Sequence, residues 1–237
     1  VSWAITFGIY TGLTAVYAAA LSLIARVLGA CPTEVAVFQG PRLFGCRIGR
    51  TEWRLNLIPL GARVLFGAPR PESGSDSQSG LDPARVEELA RIHEEFHAKP
   101  LFVQALMNLS GPVSMVLIAA CFLGPSEGMS SLSRGFAQVF QGAWSPFEVG
   151  APLIQGFLDL VARGGALSAA GILSAKLAAL NLLPIPMLAG GQVLALLLVG
   201  RRTPPLLIYA QWLGLLLLVI VYTAWGIALV RVALGGI

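Results

Sequence analysis

The sequence predicts a mainly helical membrane protein: a four-span bundle with a broken third span, a small β-sheet and an interfacial amphipathic helix. Three observations carry this. Hydrophobic residues make up 56% of the 237 and charged residues only 12%, whereas soluble domains carry about 25% charged residues. Four runs with few or no charges, Val1–Ala25, Pro100–Ser126, Gly164–Gly200 and Thr203–Val230, each reach the ~20 residues that cross a bilayer core. The third run is interrupted by Pro184 and Pro186. Two prolines remove backbone donors and force the residues before them out of the α region. Broken backbone at membrane depth must be covered by protein or line a polar cavity, so a break of this kind marks a candidate site.

The placement of charge speaks to topology, and no nucleic-acid partner is implied by the net charge of +4. Ten of the sixteen Lys and Arg lie between Arg26 and Lys99, and Arg201 and Arg202 form a second cluster. The stretch 125–163 holds only Arg134 and Arg163. Cytoplasmic loops collect Lys and Arg, which puts 26–99 and 201–204 in the cytoplasm and both termini outside it. The three cysteines, Cys31, Cys46 and Cys121, have no metal-type spacing and an odd count, so no disulfide framework follows.

One membrane domain, 1–237, accounts for the elements in order. The first span, 1–28, has no basic segment before it, which argues for a retained helix over a cleaved signal. Its Gly8 and Gly12 are spaced for close helix approach, or are simply ordinary membrane-helix glycines. From 34 to 67 the period becomes two. Glu52, Arg54 and Asn56 alternate with Trp53, Leu55 and Leu57, giving short antiparallel strands with turns at Gly40-Pro41 and Pro59–Gly61. Residues 69–83, rich in Ser, Gly and Pro, form a linker. Asp82-Pro83 starts an amphipathic helix over 84–98. The second span, 100–124, leads to an extracytoplasmic loop, 125–163, with amphipathic candidates at Leu132–Trp144 and Pro152–Ala162. The broken third span, 164–200, and a fourth span, 205–231, complete the chain.

Two constellations carry possible chemistry. His93-Glu94-Glu95-Phe96-His97 is a formal His-Glu-x-x-His and holds the only two histidines. At i and i+4 they share a helix face, the geometry that binds zinc with Glu94 as base; the alternative is a solvated helix with two surface histidines. Lys176 is the one cation deep inside a span. If its helix enters near Ala166, it lies ~15 Å in, where an ionisable group is costly and marks a functional site by default. A hydroxyl such as that of Tyr17, carbonyls released at Pro184–Pro186, or a carboxylate of another protein would be its partner.

Four ordered segments resemble the site-2 protease family, the intramembrane zinc metallopeptidases: Ala25-Arg26-Val27-Leu28-Gly29, Leu57–Val64, Lys99–Pro112 and Asn181-Leu-Leu-Pro-Ile-Pro-Met-Leu-Ala-Gly-Gly191. The resemblance implies a substrate-holding strand edge at Leu57 and Leu60, and a membrane cleft at Asn181, Pro184, Pro186, Gly190 and Gly191. It also implies a bacterial inner membrane location. The family's His-Glu-x-x-His falls, by position, on Tyr17-Ala18-Ala19-Ala20-Leu21, and its later aspartate ligand on Ala189. The expectation is therefore a non-catalytic relative without zinc. It would bind other integral membrane proteins through the former substrate cleft, with Lys176 supplying charge there. The competing expectation is an active zinc peptidase with its site moved to His93, Glu94 and His97.

Overall fold

The computed structural model describes residues 2–67, 83–200 and 205–235. Arg201, Arg202, Asp82 and the expected linker up to 82 lie outside the described residues. The fold is mainly helical with one small sheet. Helices α1 (Ser2–Val27), α3 (Leu101–Leu123) and α8 (Pro205–Ala233) carry segments long and apolar enough to cross a membrane. The broken third run forms two shorter apolar helices, α6 (Ala166–Leu182) and α7 (Ala189–Val199). The remaining helices are α2 (Pro83–Ala98), α4 (Pro125–Trp144) and α5 (Ala151–Ala162), with a single π turn at Pro146–Gly150. The chain divides into two compact units, Thr14–Gly111 and Val1–Leu13 with Pro112–Ile237.

In the unit Thr14–Gly111, α1 stops where its sequence says it must. Gly29 takes a positive φ of 73°, and Ala30 N–H donates to Ala25 O while Gly29 N–H donates to Arg26 O. This paired closure satisfies the last carbonyls of the helix, and glycine meets no steric penalty there. Strands β1 (Glu34–Ile48) and β2 (Thr51–Leu65) follow and pair antiparallel. The hairpin pairs Ile48 with Thr51 and runs on to Phe44 with Leu55. The register then shifts repeatedly, and Glu34–Val37 pair with residues 62–65. On its other side the same piece pairs with residues 52–55, the numbers rising together. Glu34–Val37 is thus the middle of the sheet, which is why Val35 and Ala36 are buried while Leu43 and Phe44 are exposed. Gly40-Pro41 and Pro59–Gly61, expected as turns, are bends inside two continuous strands, because the ladder resumes beyond each.

One side-chain chain binds these pieces laterally. Arg63 pairs with Glu34 at 2.9 Å, Glu34 with Arg54 at 3.0 Å, Arg54 with Glu52 at 2.9 Å and Glu52 with Arg42 at 2.8 Å. The Arg54 hydrogen bond holds the Glu52 carboxyl below its ordinary value, against a smaller opposing effect of burial, and the charges of Arg54, Arg42 and Arg47 add to the lowering. A depressed carboxyl contributes stability above its unfolded value, about 4.3, and loses it as pH falls through the lower folded value. We therefore expect Glu52→Gln to lower thermal stability at neutral pH by less than about 1 kcal/mol, since the pair is largely solvated. The difference from wild type should disappear in acid, and a difference that grew as pH fell would contradict the pairing.

The unit that includes Pro112–Ile237 is built around α4. Its Gly128, Gly135 and Gly142 recur every seven residues and are all buried. A Cβ on Gly128 would meet Ala120 backbone at 3.1 Å, one on Gly135 the Ala179 methyl at 2.8 Å, and one on Gly142 the Trp225 ring at 2.3 Å. The glycine stripe thus lets α3, α6 and α8 approach α4 closely, the small-residue packing that replaces hydrophobic driving force in lipid. Trp225 completes it by donating its indole N–H to Val139 O at 3.1 Å. The stretch 125–163, expected as a loop with two amphipathic segments, is helix over most of its length.

Candidate functional site

Tyr17 and Leu21 lie one turn apart on one face of α1, both half-buried, and Ala18 between them is fully buried. The Tyr17 ring lies against Gly111, where a Cβ would come within 2.5 Å of it. Glycine at 111 lets α3 approach the ring, and the phenol body fills that space. A zinc centre needs imidazole, thiolate or carboxylate donors. Tyr17, Ala18 and Leu21 supply none of these, and neither does Ala189, a buried alanine that opens α7. The residues at these four positions do not fit the metal. Tyr17, Ala18 and Leu21 belong to one unit and Ala189 to the other.

The break between α6 and α7 is a packed structure. Leu183 N–H closes the end of α6 on Leu180 O, and Leu188 N–H bonds Ile185 O at 2.8 Å. Leu183 and Ile185 are buried with Leu218 of α8, and Phe136 and Val139 of α4 pack beside them. Gly190 and Gly191 make the return possible. A Cβ on Gly190 would lie 2.2 Å from Leu182 O, and one on Gly191 would lie 2.0 Å from Ile185 O. Gly214 of α8 admits Pro186 in the same way, at 3.1 Å. Asn181 spends its amide on Leu177 O at 2.8 Å, within its own helix. Pro184 is exposed, as is Met187 at 46%. Of the expected partner-binding residues in this segment, the glycines and Asn181 therefore serve the break itself, and Pro184 faces outward.

Lys176 finds its partners elsewhere than expected. Its ammonium donates to the side-chain carbonyl of Gln138 and, at 3.4 Å, to Ser131 O, both on α4. These are neither the Tyr17 hydroxyl nor the carbonyls of the break: α6 presents Lys176 to α4, where Gly135 leaves room for its stem (a Cβ there would be 3.3 Å from Lys176 Cδ). Gln138, Ser131 and Gly135 are the members of this site that sequence reasoning missed. Their signal was the i, i+4, i+7 spacing along α4.

On α2, His93 and His97 do come together, with ring centroids 4.4 Å apart. The helix is docked rather than solvated all round. Phe96 stacks on Phe66 at 4.5 Å, and a Cβ on Gly67 would strike Leu89 O at 2.2 Å. Glu94 is exposed, and Glu95 pairs with Arg91 at 3.6 Å. Among the described residues, no group of three or more His, Cys, Asp or Glu is arranged to hold a metal. Leu57 and Leu60 lie exposed in β2, at 57% and 43%.

Residues 22–221 match the model of peptidase family M50. A protein of Thermotoga maritima is 28% identical over 109 residues, 46% of this chain and 19% of that protein. One from Clostridium perfringens is 37% identical over 57 residues, covering 24% and 17% of the two chains. One from Agrobacterium fabrum is 30% identical over 98 residues, covering 41% and 25%. All three carry provisional names as zinc metalloproteases. The matched stretches span a quarter or less of the length of these relatives. Because the family match extends over most of its length, from a point just after Leu21 to the middle of α8, this chain belongs to peptidase family M50.

Proposed function

We propose that this chain is a non-catalytic membrane subunit of the M50 family that holds partner membrane proteins. What supports the reading is the chemistry at the positions where the resemblance, by spacing from Ala25–Gly29 and within Asn181–Gly191, puts the family's ligands. Tyr17, Ala18, Leu21 and Ala189 stand there, and two of them, Ala18 and Ala189, are buried. Neither a zinc-bound water nor a carboxylate base is available from such a set. In this reading the chain crosses the membrane four times, α6 and α7 making the third crossing, in the inner membrane of a bacterium. Residues 26–99, sheet included, face the cytoplasm, and both termini lie outside. Partner segments dock at the exposed Pro184 and along β2 at Leu57 and Leu60, where main-chain edges and apolar side chains are presented together. Asn181, Pro186, Gly190, Gly191 and Lys176 shape and brace the surface they dock on.

Metal analysis of the purified chain tests this directly. We expect zinc far below one per chain, and stoichiometric zinc that survives chelator washing would overturn the reading. The proximity of His93 and His97 favours a second reading, an active zinc peptidase using those two with Glu94. It requires a third protein ligand and ring nitrogens ~2 Å from the metal. Glu94→Gln separates the two. Unchanged biological activity supports the non-catalytic subunit, and its loss together with retained folding supports the enzyme. Partners are sought by co-purification in mild detergent, comparing wild type with Leu57→Asp/Leu60→Asp.

A further inference from the structure

A second candidate site lies within the unit Thr14–Gly111, where α1 ends and α3 begins. Ala25 and Ala30 pack there with Met107 and Val103 of α3. A cavity of about 80 Å³ opens beside them, floored by the stacked rings of Phe66 and Phe96. One water needs about 10–15 Å³ in the same measure, so the space holds a group of several heavy atoms. Three cations line it: Arg50 from the β1–β2 turn, Arg91 from α2 and Lys99 from the segment leading into α3. The one carboxylate, Glu95, lies 3.6 Å from Arg91 across a pair that is two-thirds exposed on each side. The lining thus carries three cationic side chains and one carboxylate.

On the sheet, Arg42, Arg54 and Arg63 each pair with Glu34 or Glu52, and Arg26 donates to Thr51 at 2.9 Å. Arg50, by contrast, forms no ion pair among the described residues. The turn around Gly29 helps form the site. Lys99 Nζ lies 3.4 Å from where a Cβ on Gly29 would stand, so the backbone there leaves the ammonium its place beside the cavity. A ring of guanidinium and ammonium donors over an apolar floor suits a group with several anionic oxygens. Its position at the ends of two membrane-capable helices is the level at which lipid headgroups lie.

We propose that this cavity binds a phosphate group, carried either by an acidic phospholipid headgroup or by a soluble phosphate. The test uses the full chain in nanodiscs of phosphatidylcholine, with and without phosphatidylglycerol, and in a parallel arm with inorganic phosphate. Thermal unfolding and lipid retention in native mass spectrometry are the readouts. Phosphatidylglycerol should raise the unfolding temperature of the wild type, and Arg50→Gln/Lys99→Gln should weaken that binding at least about tenfold, the loss of two charge-assisted contacts. A response to inorganic phosphate alone that is lost in the same variant would support the site and assign it to a soluble phosphate. Arg42→Gln/Arg63→Gln, outside the cavity, should respond as the wild type does. If it loses the response equally, the attraction is diffuse and the proposal fails. It fails as well if neither probe changes wild-type stability. Should the double variant not fold, Arg91→Gln, on the exposed side of α2, carries the same comparison.

Discussion

Gly191→Ala is expected to abolish stable folding of the unit containing the helix break, or to lower its unfolding temperature far more than a methyl added at an open helical glycine. The new Cβ would lie 2.0 Å from Ile185 O, 2.2 Å from Ile185 C and 2.6 Å from Pro186 N. All three are backbone atoms, so no rotamer change relieves the clash. The backbone cannot retreat cheaply either, because Leu183 and Ile185 are held by Leu218 and by the Phe136–Val139 face of α4. Overpacking of a core ordinarily costs about 1–3 kcal/mol when side chains can adjust, and here they cannot. Gly190→Ala, 2.2 Å from Leu182 O, should behave alike. Gly226→Ala in α8 is the control. Nothing lies within 4 Å of its added methyl, and exchanging a mid-helix glycine for alanine favours the helix by about 0.5–1 kcal/mol. Fluorescence-detected unfolding of the three variants in one detergent decides the matter. An unshifted transition for Gly191→Ala would mean that α7 does not return against the end of α6 as described.

The break was legible because its cause is local. Pro184 and Pro186 forbid continuous helix wherever the rest of the chain lies, and the helix ends at Leu182 accordingly. The purpose of Gly190 and Gly191 was not legible in the same way. Their need arises from carbonyls of residues 182 and 185 folding back on them, a distance no periodicity contains. The sheet shows a similar division. Alternation at 52–57 and the Gly/Pro positions located the extended pieces and their bends. The placing of Glu34–Val37 between two neighbours depends on pairings up to thirty-one residues apart. The largest difference is α4. An amphipathic candidate was expected only over Leu132–Trp144, whereas the helix starts at Pro125, and the seven-residue spacing of Gly128, Gly135 and Gly142 was present in the sequence as a packing stripe. For the candidate site, the side-chain types at Tyr17, Ala18, Leu21 and Ala189 could be read directly, none of them an imidazole, thiolate or carboxylate. The polar partner of Lys176, Gln138, lies in the amphipathic candidate Leu132–Trp144, but its pairing with α6 spans thirty-eight residues and no periodicity contains it.

That partnership gives the second large effect. Gln138→Leu is expected to destabilise the protein by about 1–3 kcal/mol, because it leaves the partly buried Lys176 ammonium with only the 3.4 Å contact to Ser131 O. Lys176→Met should cost much less. It retains the unbranched stem beside Gly135 and removes both the charge and the cost of taking that charge out of water. The double variant, Lys176→Met/Gln138→Leu, is the informative one. Replacing both partners with apolar groups of similar shape is close to neutral where removing one is not, so its unfolding temperature should return toward that of Lys176→Met. The coupling between the two positions would then stand well above the few tenths of a kcal/mol expected for independent sites. Additive losses in the cycle would mean that Gln138 does not hold the ammonium. A Lys176→Met variant of wild-type stability that loses its co-purifying partners would assign the charge to partner binding, whereas retained partners would leave it the bracing role between α6 and α4 that its contacts describe.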